Sequence, residues 1–485
     1  MSIARHFTTL LSGRLLSQLL LILSTPLLTR CFSPEDFGVI SLIGSLTQIP
    51  AMLLMGRLDQ ALPQSRSHEE AGQILSLCVV FGCVILLSCL GLAWLSGPWL
   101  AERYQQPQLP LLLFMTTLLF IPQSVTQLGK QWSSYRERHG ITASADVLTT
   151  LMRRGAPIPL SYWMGSTPWA LLIGQSLGLV GSASLFITQL SAEVRSHLDF
   201  TASSLKATWQ NYRHFTLYLS GSSLFDLFAW SLLPLIIGDF YGLTAVGWFG
   251  QAHALLLLPT SLLNQSATHV FYPRLAQSRE DPASLQNLLK RMSLLSIDLA
   301  LYPLIILIPL APELWSLVLS DAFAMSGELA QVLIPMVIMN VIVSPLSVLV
   351  NVLHLHRPFF WQSVVLNIVR TSALICGCIW GNLTWALGAY SLSTATIKAY
   401  QFCWLLNRGG VSLTEVCDGL IVKLGYCVTL ASLLFMLHAE GVSLLILFTL
   451  MMSGALGWTA IIIKLNPDAR ALSLKLSQRF FTQKS

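Results

Sequence analysis

Charge is what this sequence has least of: 10% of its 485 residues are Asp, Glu, Lys or Arg, against 54% hydrophobic residues and a mean hydropathy of +0.66. That balance excludes a soluble globular chain. No G-x-x-x-x-G-K-[ST] phosphate loop occurs, so ATP is not hydrolysed in this chain, and H-E-x-x-H, D-x-D and G-x-S-x-G are equally missing. No connection between apolar runs is long enough to fold as a domain. The nine cysteines are scattered, and Cys376 and Cys378, two apart, project to different sides of a helix, which argues against a metal pair. The run from Phe7 to Thr29 follows a short basic start but lacks an A-x-A cleavage site, so it reads as a retained helix.

What the chain does have is apolar runs of about the 20 residues needed to cross a bilayer. Fourteen are centred near Leu19, Leu46, Ile85, Met115, Leu151, Leu179, Leu227, Leu255, Leu299, Met339, Val369, Tyr390, Thr429 and Leu450. With both ends inside, only Arg30 and Arg103 fall in external segments and only Arg153, Arg154, Arg370 and Lys398 within spans; the rest of the 28 basic residues lie on the inner side. This asymmetry sets the orientation, with both termini cytoplasmic, and it accounts for the formal charge of +6 without nucleic acid. The fifth run carries two arginines at its centre, with Pro157 and Pro159 just beyond. Skipping it would invert every later loop, so it is expected to cross as a kinked or interrupted helix. A weak internal echo links Pro26 and Gly38 to Pro234 and Gly247, which fits two related halves.

Polar residues recur at helical spacing on several spans. Asn340, Ser344, Ser347, Asn351 and His354 share one face of the tenth, Ser363, Asn367 and Arg370 one face of the eleventh, and Ser391, Thr394 and Lys398 one face of the twelfth. Arg14, Gln18 and Thr25 on the first span, Ser41, Ser45 and Gln48 on the second, and Ser223 and Asp226 on the seventh behave alike. A single stripe is as well explained as packing glue between helices. Six together point to a hydrated interior. Charged groups at membrane depth cost about 2.5–3.5 kcal/mol each even on the lenient insertion scale, so Arg153, Arg154, Arg370 and Asp226 are functional candidates. Asp146 and Arg153 share a face but lie about two turns apart, so their partners must come from other helices or a ligand. Asp298 is expected to be a structural group satisfied by Tyr302, one turn away.

The segments LLTRCFSPEDFGVISLIGSLTQIPAMLLMGRLDQAL and WSSYRERHG, and above all YRHF followed by LLPLIIGDFYGLTAVGWFGQAHALLLLPTSLLNQSATHVFYPRLAQ, resemble the bacterial polysaccharide transporters. These are the Wzx-type O-antigen and exopolysaccharide flippases of the multidrug/oligosaccharidyl-lipid/polysaccharide exporter superfamily. The resemblance implies an all-α integral membrane protein in which two six-helix bundles, 1–200 and 201–410, surround a central cavity, followed by two further helices in 411–485. It also implies a substrate, an oligosaccharide on undecaprenyl diphosphate, turned by alternating access from the inner to the outer leaflet of the bacterial inner membrane. Membrane lipids, a polysaccharide polymerase and chain-length proteins are the partners it brings with it.

The two readings meet at the phosphates. Arginine's planar fork suits a diphosphate in a low-dielectric space, so Arg153, Arg154 and Arg370, with Arg14 and Lys398, are the expected diphosphate contacts. Asn340, Ser344, Ser347, Asn351, Asn367 and Gln48 are the expected sugar contacts. No cofactor or metal is expected beyond a coupling H+ or Na+, for which Asp226 and Asp146 are the candidates. The rivals are a cation-coupled drug exporter or lipid II flippase of the same superfamily and, from another class, a membrane-embedded polysaccharide polymerase or ligase. The last would need a sizeable outer loop.

Overall fold

Within lipid, a backbone can satisfy its polar groups only in helices or closed barrels. The computed structural model describes residues 3–65, 67–136, 138–195, 197–278 and 281–465, and, among these, all side chains but those of 3–16, 63–64, 139, 189–195, 214–215, 217–223, 258–273 and 276. No strand occurs among the described residues. The helices are α1 (Ile3–Cys31), α2 (Pro34–Leu53), α3 (His68–Arg103), α4 (Leu109–Leu118), α5 (Phe120–Tyr135), α6 (His139–Gly155), α7 (Pro157–Met164), α8 (Pro168–Arg195) and α9 (Ala202–Gln277). They continue with α10 (Pro282–Leu307), α11 (Ala311–Val318), α12 (Ala324–Leu346), α13 (Val348–Val352), α14 (His356–Trp380), α15 (Leu383–Arg408), α16 (Leu413–Cys417), α17 (Leu420–Ala439) and α18 (Leu444–Leu465). Each of the fourteen centres read from the sequence falls inside one of these helices. Ten helical segments among the described residues are long and apolar enough to cross a membrane.

Local chemistry explains where the helices start. Ser33 caps α2 in a capping box with Asp36, and Pro34 occupies the first turn, where a missing N–H costs nothing. Asp281 and Asn382 accept the first amides of α10 and α15 in the same way. The fifth span is interrupted as expected: α6 ends at Gly155 and α7 restarts at Pro157. In α9, Gly242 takes φ +80°, so two helices run together across a break there.

The chain forms two compact units, Met1–Gly250 with Val318–Ala322, and Gln251–Leu317 with Phe323–Ser485. The sequence places the division near residue 200; the two units meet at Gly250, inside the second helix of α9, so the helix up to Gly242 and the first turns of the next lie with the first unit.

In the first unit, Leu54, Leu58, Leu62, Leu75, Cys78, Phe120, Trp132 and Phe186 form one buried cluster. A Cβ on Gly38 would sit 1.9 Å from the carbonyl oxygen of Leu243, and one on Gly247 would sit 1.8 Å from that of Pro34. The two contacts are reciprocal, each glycine meeting a residue four positions before the other. The Gly38 and Gly247 echo in the sequence is thus a crossing of two helices backbone to backbone. Close by, Thr29 donates its hydroxyl to the Leu319 carbonyl at 2.8 Å, and Trp248 donates its indole N–H to Ala322 at 2.9 Å, which holds Val318–Ala322 to this unit.

The second unit is built on α12, whose Leu329, Leu333, Ile334, Val337 and Val341 are fully buried against its neighbours. Asp298 on α10 is buried as expected, but its partner is not Tyr302. Its carboxylate takes Lys423 of α17, side chains 5% and 3% exposed, in a short ion pair, while Tyr302 donates to the Met451 carbonyl of α18. Lys423 therefore does not mark an inner loop, as its charge suggested. It fastens the terminal helices to the second unit, with Trp458 stacked on Tyr302 and Tyr426 beside it.

Candidate functional site

Helices α5 and α6 are the amphipathic pair of the first unit. Gln123, Gln127 and Lys130 recur along α5 at steps of four and three, and Asp146, Thr149 and Arg153 do so along α6. Helix α8 can approach α6 and the start of α7 closely because Gly174 and Gly178 face them: a Cβ on Gly174 would meet the Pro157 ring at 2.5 Å, and one on Gly178 the Thr149 carbonyl at 2.7 Å. The polar faces enclose a pocket of about 410 Å³ lined by Gln123, Thr126, Gln127, Lys130, Thr149, Arg153, Gln175 and Leu179. Thr126 bonds Ser182 of α8 at 2.9 Å and closes one wall.

Arg153 therefore lines a polar pocket inside one bundle. It is exposed, and Arg154 beside it is half-buried. Among the described residues, neither guanidinium has a hydrogen-bond or ion-pair partner. Asp146 finds the partner from another helix that its spacing required: Lys130 of α5 lies 2.5 Å from its Oδ1. That pair leaves Arg153 as the uncompensated charge of the pocket, so the site carries a net positive charge suited to an anion.

The remaining candidates are dispersed. Arg14 has a side chain outside the described residues. Gln48 is exposed on α2, and Asp226 is half-buried on α9; neither lines the pocket. Arg370 and Asn367, in the second unit, are 4% and 2% exposed, with the guanidinium over the Tyr390 ring, 5.7 Å from its centroid. Burial of that degree ties Arg370 to packing between α14 and α15. Ser391 and Thr394 are likewise wholly buried, Ser391 accepting the Met336 amide at 3.2 Å, so the twelfth-span stripe is packing where it was expected to face water. Lys398 is half-buried. Asn340 and Ser344 on α12 and Ser347 just past it are half-buried, and Asn351 is exposed, so that stripe keeps polar atoms at an accessible surface.

Sequence reasoning missed Gln123, Gln127, Lys130, Gln175 and Asp59. Lys130 reads as an inner-loop charge in the sequence, and the glutamines four apart at 123, 127 and 131 are the signal that points to the pocket. Asp59, in a 3-10 turn at Leu58–Gln64, is 2% exposed; its Oδ2 accepts the side-chain amides of Gln127 at 2.9 Å and Gln131 at 3.4 Å.

A family profile described as polysaccharide biosynthesis protein matches residues 27–328. The succinoglycan biosynthesis transport protein ExoT of Rhizobium meliloti is 24% identical over 395 residues, which cover 79% of this chain and 76% of that protein. The amylovoran biosynthesis protein AmsL of Erwinia amylovora is 24% identical over 328 residues, covering 65% and 81%. Among solved structures, the lipid II flippase MurJ in an inward closed conformation superposes with a TM-score of 0.72 at 13% identity, covering 93% of this chain and 98% of that one. An inward-facing multidrug resistance transporter of the MATE family superposes at 0.65 and 11% identity, covering 81% and 94%. The fold is that of the exporter superfamily to which these two belong.

Proposed function

Because the chain belongs to the polysaccharide biosynthesis protein family, we propose that it is a flippase carrying an undecaprenyl-diphosphate-linked oligosaccharide from the inner to the outer leaflet of the bacterial inner membrane. One observation carries the reading: Arg153, with no hydrogen-bond or ion-pair partner among the described residues, opens onto a polar pocket at a depth where an idle guanidinium costs about 2.5–3.5 kcal/mol. The family's involvement in polysaccharide biosynthesis, and the superfamily's fold, supply the context. A diphosphate brings negative charge that this cation can hold bidentately, and the threonines and glutamines around it offer hydrogen bonds to hydroxyls.

Arg154, half-buried beside Arg153, adds a second guanidinium to the same helix in this reading. Asn340, Ser344, Ser347, Asn351 and Gln48 supply further sugar contacts. Alternating access is driven by an H+ or Na+ gradient. Asp226 is the coupling group in this reading, as a carboxylate midway along an apolar run, where its charge is expensive. Such coupling requires that the ion bind the two conformations with unequal affinity. Both termini lie in the cytoplasm, on the strength of the basic inner loops. A polymerase and chain-length proteins then act on the exported unit.

The experiment is gene deletion followed by localisation of the lipid-linked intermediates. Full-length repeat units trapped on the inner leaflet support the flippase; short, already exported chains point to a polymerase and overturn it. Arg153→Gln, expressed at normal level in the membrane, should abolish export.

A further inference from the structure

We propose that Asp59, which stands behind the pocket wall, fixes what the pocket recognises beside a phosphate: a neutral, hydroxyl-bearing sugar, and not one that carries a carboxylate. The inference rests on the reading that Arg153 takes the phosphate of a lipid-linked sugar. A carboxylate offers only acceptors, so it must receive the amide N–H of Gln127, and it does so at 2.9 Å. Gln131 contributes a second N–H to the same oxygen. The amide of Gln127 is thereby held in one of its two orientations. Its carbonyl oxygen is turned away from Asp59, accepts no bond from any described residue and remains accessible on a side chain that lines the pocket.

The pocket therefore has two unlike poles. Arg153 draws an anion, and the Gln127 carbonyl offers only acceptance. A sugar hydroxyl can donate to that carbonyl. A carboxylate there would set lone pair against lone pair, and the side chain cannot turn to present its N–H2 without breaking its bond to Asp59. Asp59 is 2% exposed, on a short turn whose Leu58 and Leu62 belong to the buried cluster, and this keeps the carboxylate from moving aside. Asp59 touches no ligand in this account; it is a positioning residue.

The test uses the full-length protein in detergent and calorimetric titration with three soluble probes: inorganic phosphate, glucose 1-phosphate and glucuronic acid 1-phosphate. The native chain should bind glucose 1-phosphate about tenfold more tightly than the glucuronate, roughly the worth of one hydrogen bond made or lost. Asp59→Asn lets Gln127 turn over, and Gln127→Leu removes the acceptor; each should bring the two sugars within about twofold while leaving phosphate affinity unchanged. Arg153→Gln should weaken all three probes together. Should the sugar preference be missing from the native chain, or survive in both Asp59→Asn and Gln127→Leu, the positioning role is wrong while the phosphate reading stands. Phosphate binding indifferent to Arg153→Gln would overturn the reading beneath it, and the proposal with it.

Discussion

Adding one methyl group at Gly38 or at Gly247 strikes a carbonyl oxygen, and the geometry sets how far the helices must part. The Cβ would lie 1.9 Å from Leu243 or 1.8 Å from Pro34, whereas real Cβ contacts essentially never fall under 3.0 Å. The helix axes must separate locally by at least about 1.1 Å. Backbone oxygens cannot rotate away as a side chain could, and overpacking of this kind costs about 1–3 kcal/mol. Gly38→Ala and Gly247→Ala should each lower stability by that amount. Both collisions sit at one crossing, however, so a single retreat relieves both, and the double variant should cost less than the sum by about 0.5–3 kcal/mol. Gly44→Ala is the control: it lies on the same helix, meets nothing within 4 Å and should be neutral or stabilising through helix propensity. Denaturant midpoints in detergent for the three single variants and the double measure all of this. A Gly38→Ala chain as stable as the native one, or a double variant whose loss equals the sum, would refute the reciprocal crossing.

Lys423→Met leaves Asp298 as an uncompensated buried charge and should cost about 3–5 kcal/mol; the Lys423→Met, Asp298→Leu pair should recover most of it, read from the same midpoints. Arg370→Gln should lower stability, because the guanidinium packs over Tyr390, and export loss with an unchanged midpoint would show that it serves substrate instead. Asp226→Asn should blunt the dependence of export on the ion gradient in membrane vesicles; an unaltered dependence removes it as the coupling group.

The helices, their order and the break after Gly155 were readable in the sequence because each depends on local properties: hydropathy and proline position. The pocket was half readable. Arg153 stood out because a guanidinium at that depth is expensive, yet its surroundings did not, since Lys130 looks the same to a charge count whether it marks a loop or pairs with Asp146. Glutamines carry no charge and slip through a hydropathy scan. The stripe of Ser391 and Thr394 misled for the opposite reason: its spacing reports a shared face, but not whether that face meets water or another helix. Partner choice was least legible of all, because a separation of 125 positions between Asp298 and Lys423 leaves no local trace of their meeting.

Helix α6 has a consequence for biogenesis. With Asp146, Arg153 and Arg154 within seventeen residues, it is too polar to leave the translocon for lipid on its own. Its neutralising partner, Lys130, is synthesised before it, but the glycine face of α8 that shelters it emerges afterwards. For α6 to cross a bilayer, the nascent chain must hold it at the exit site until α8 arrives, which makes folding of the first bundle a condition for its insertion.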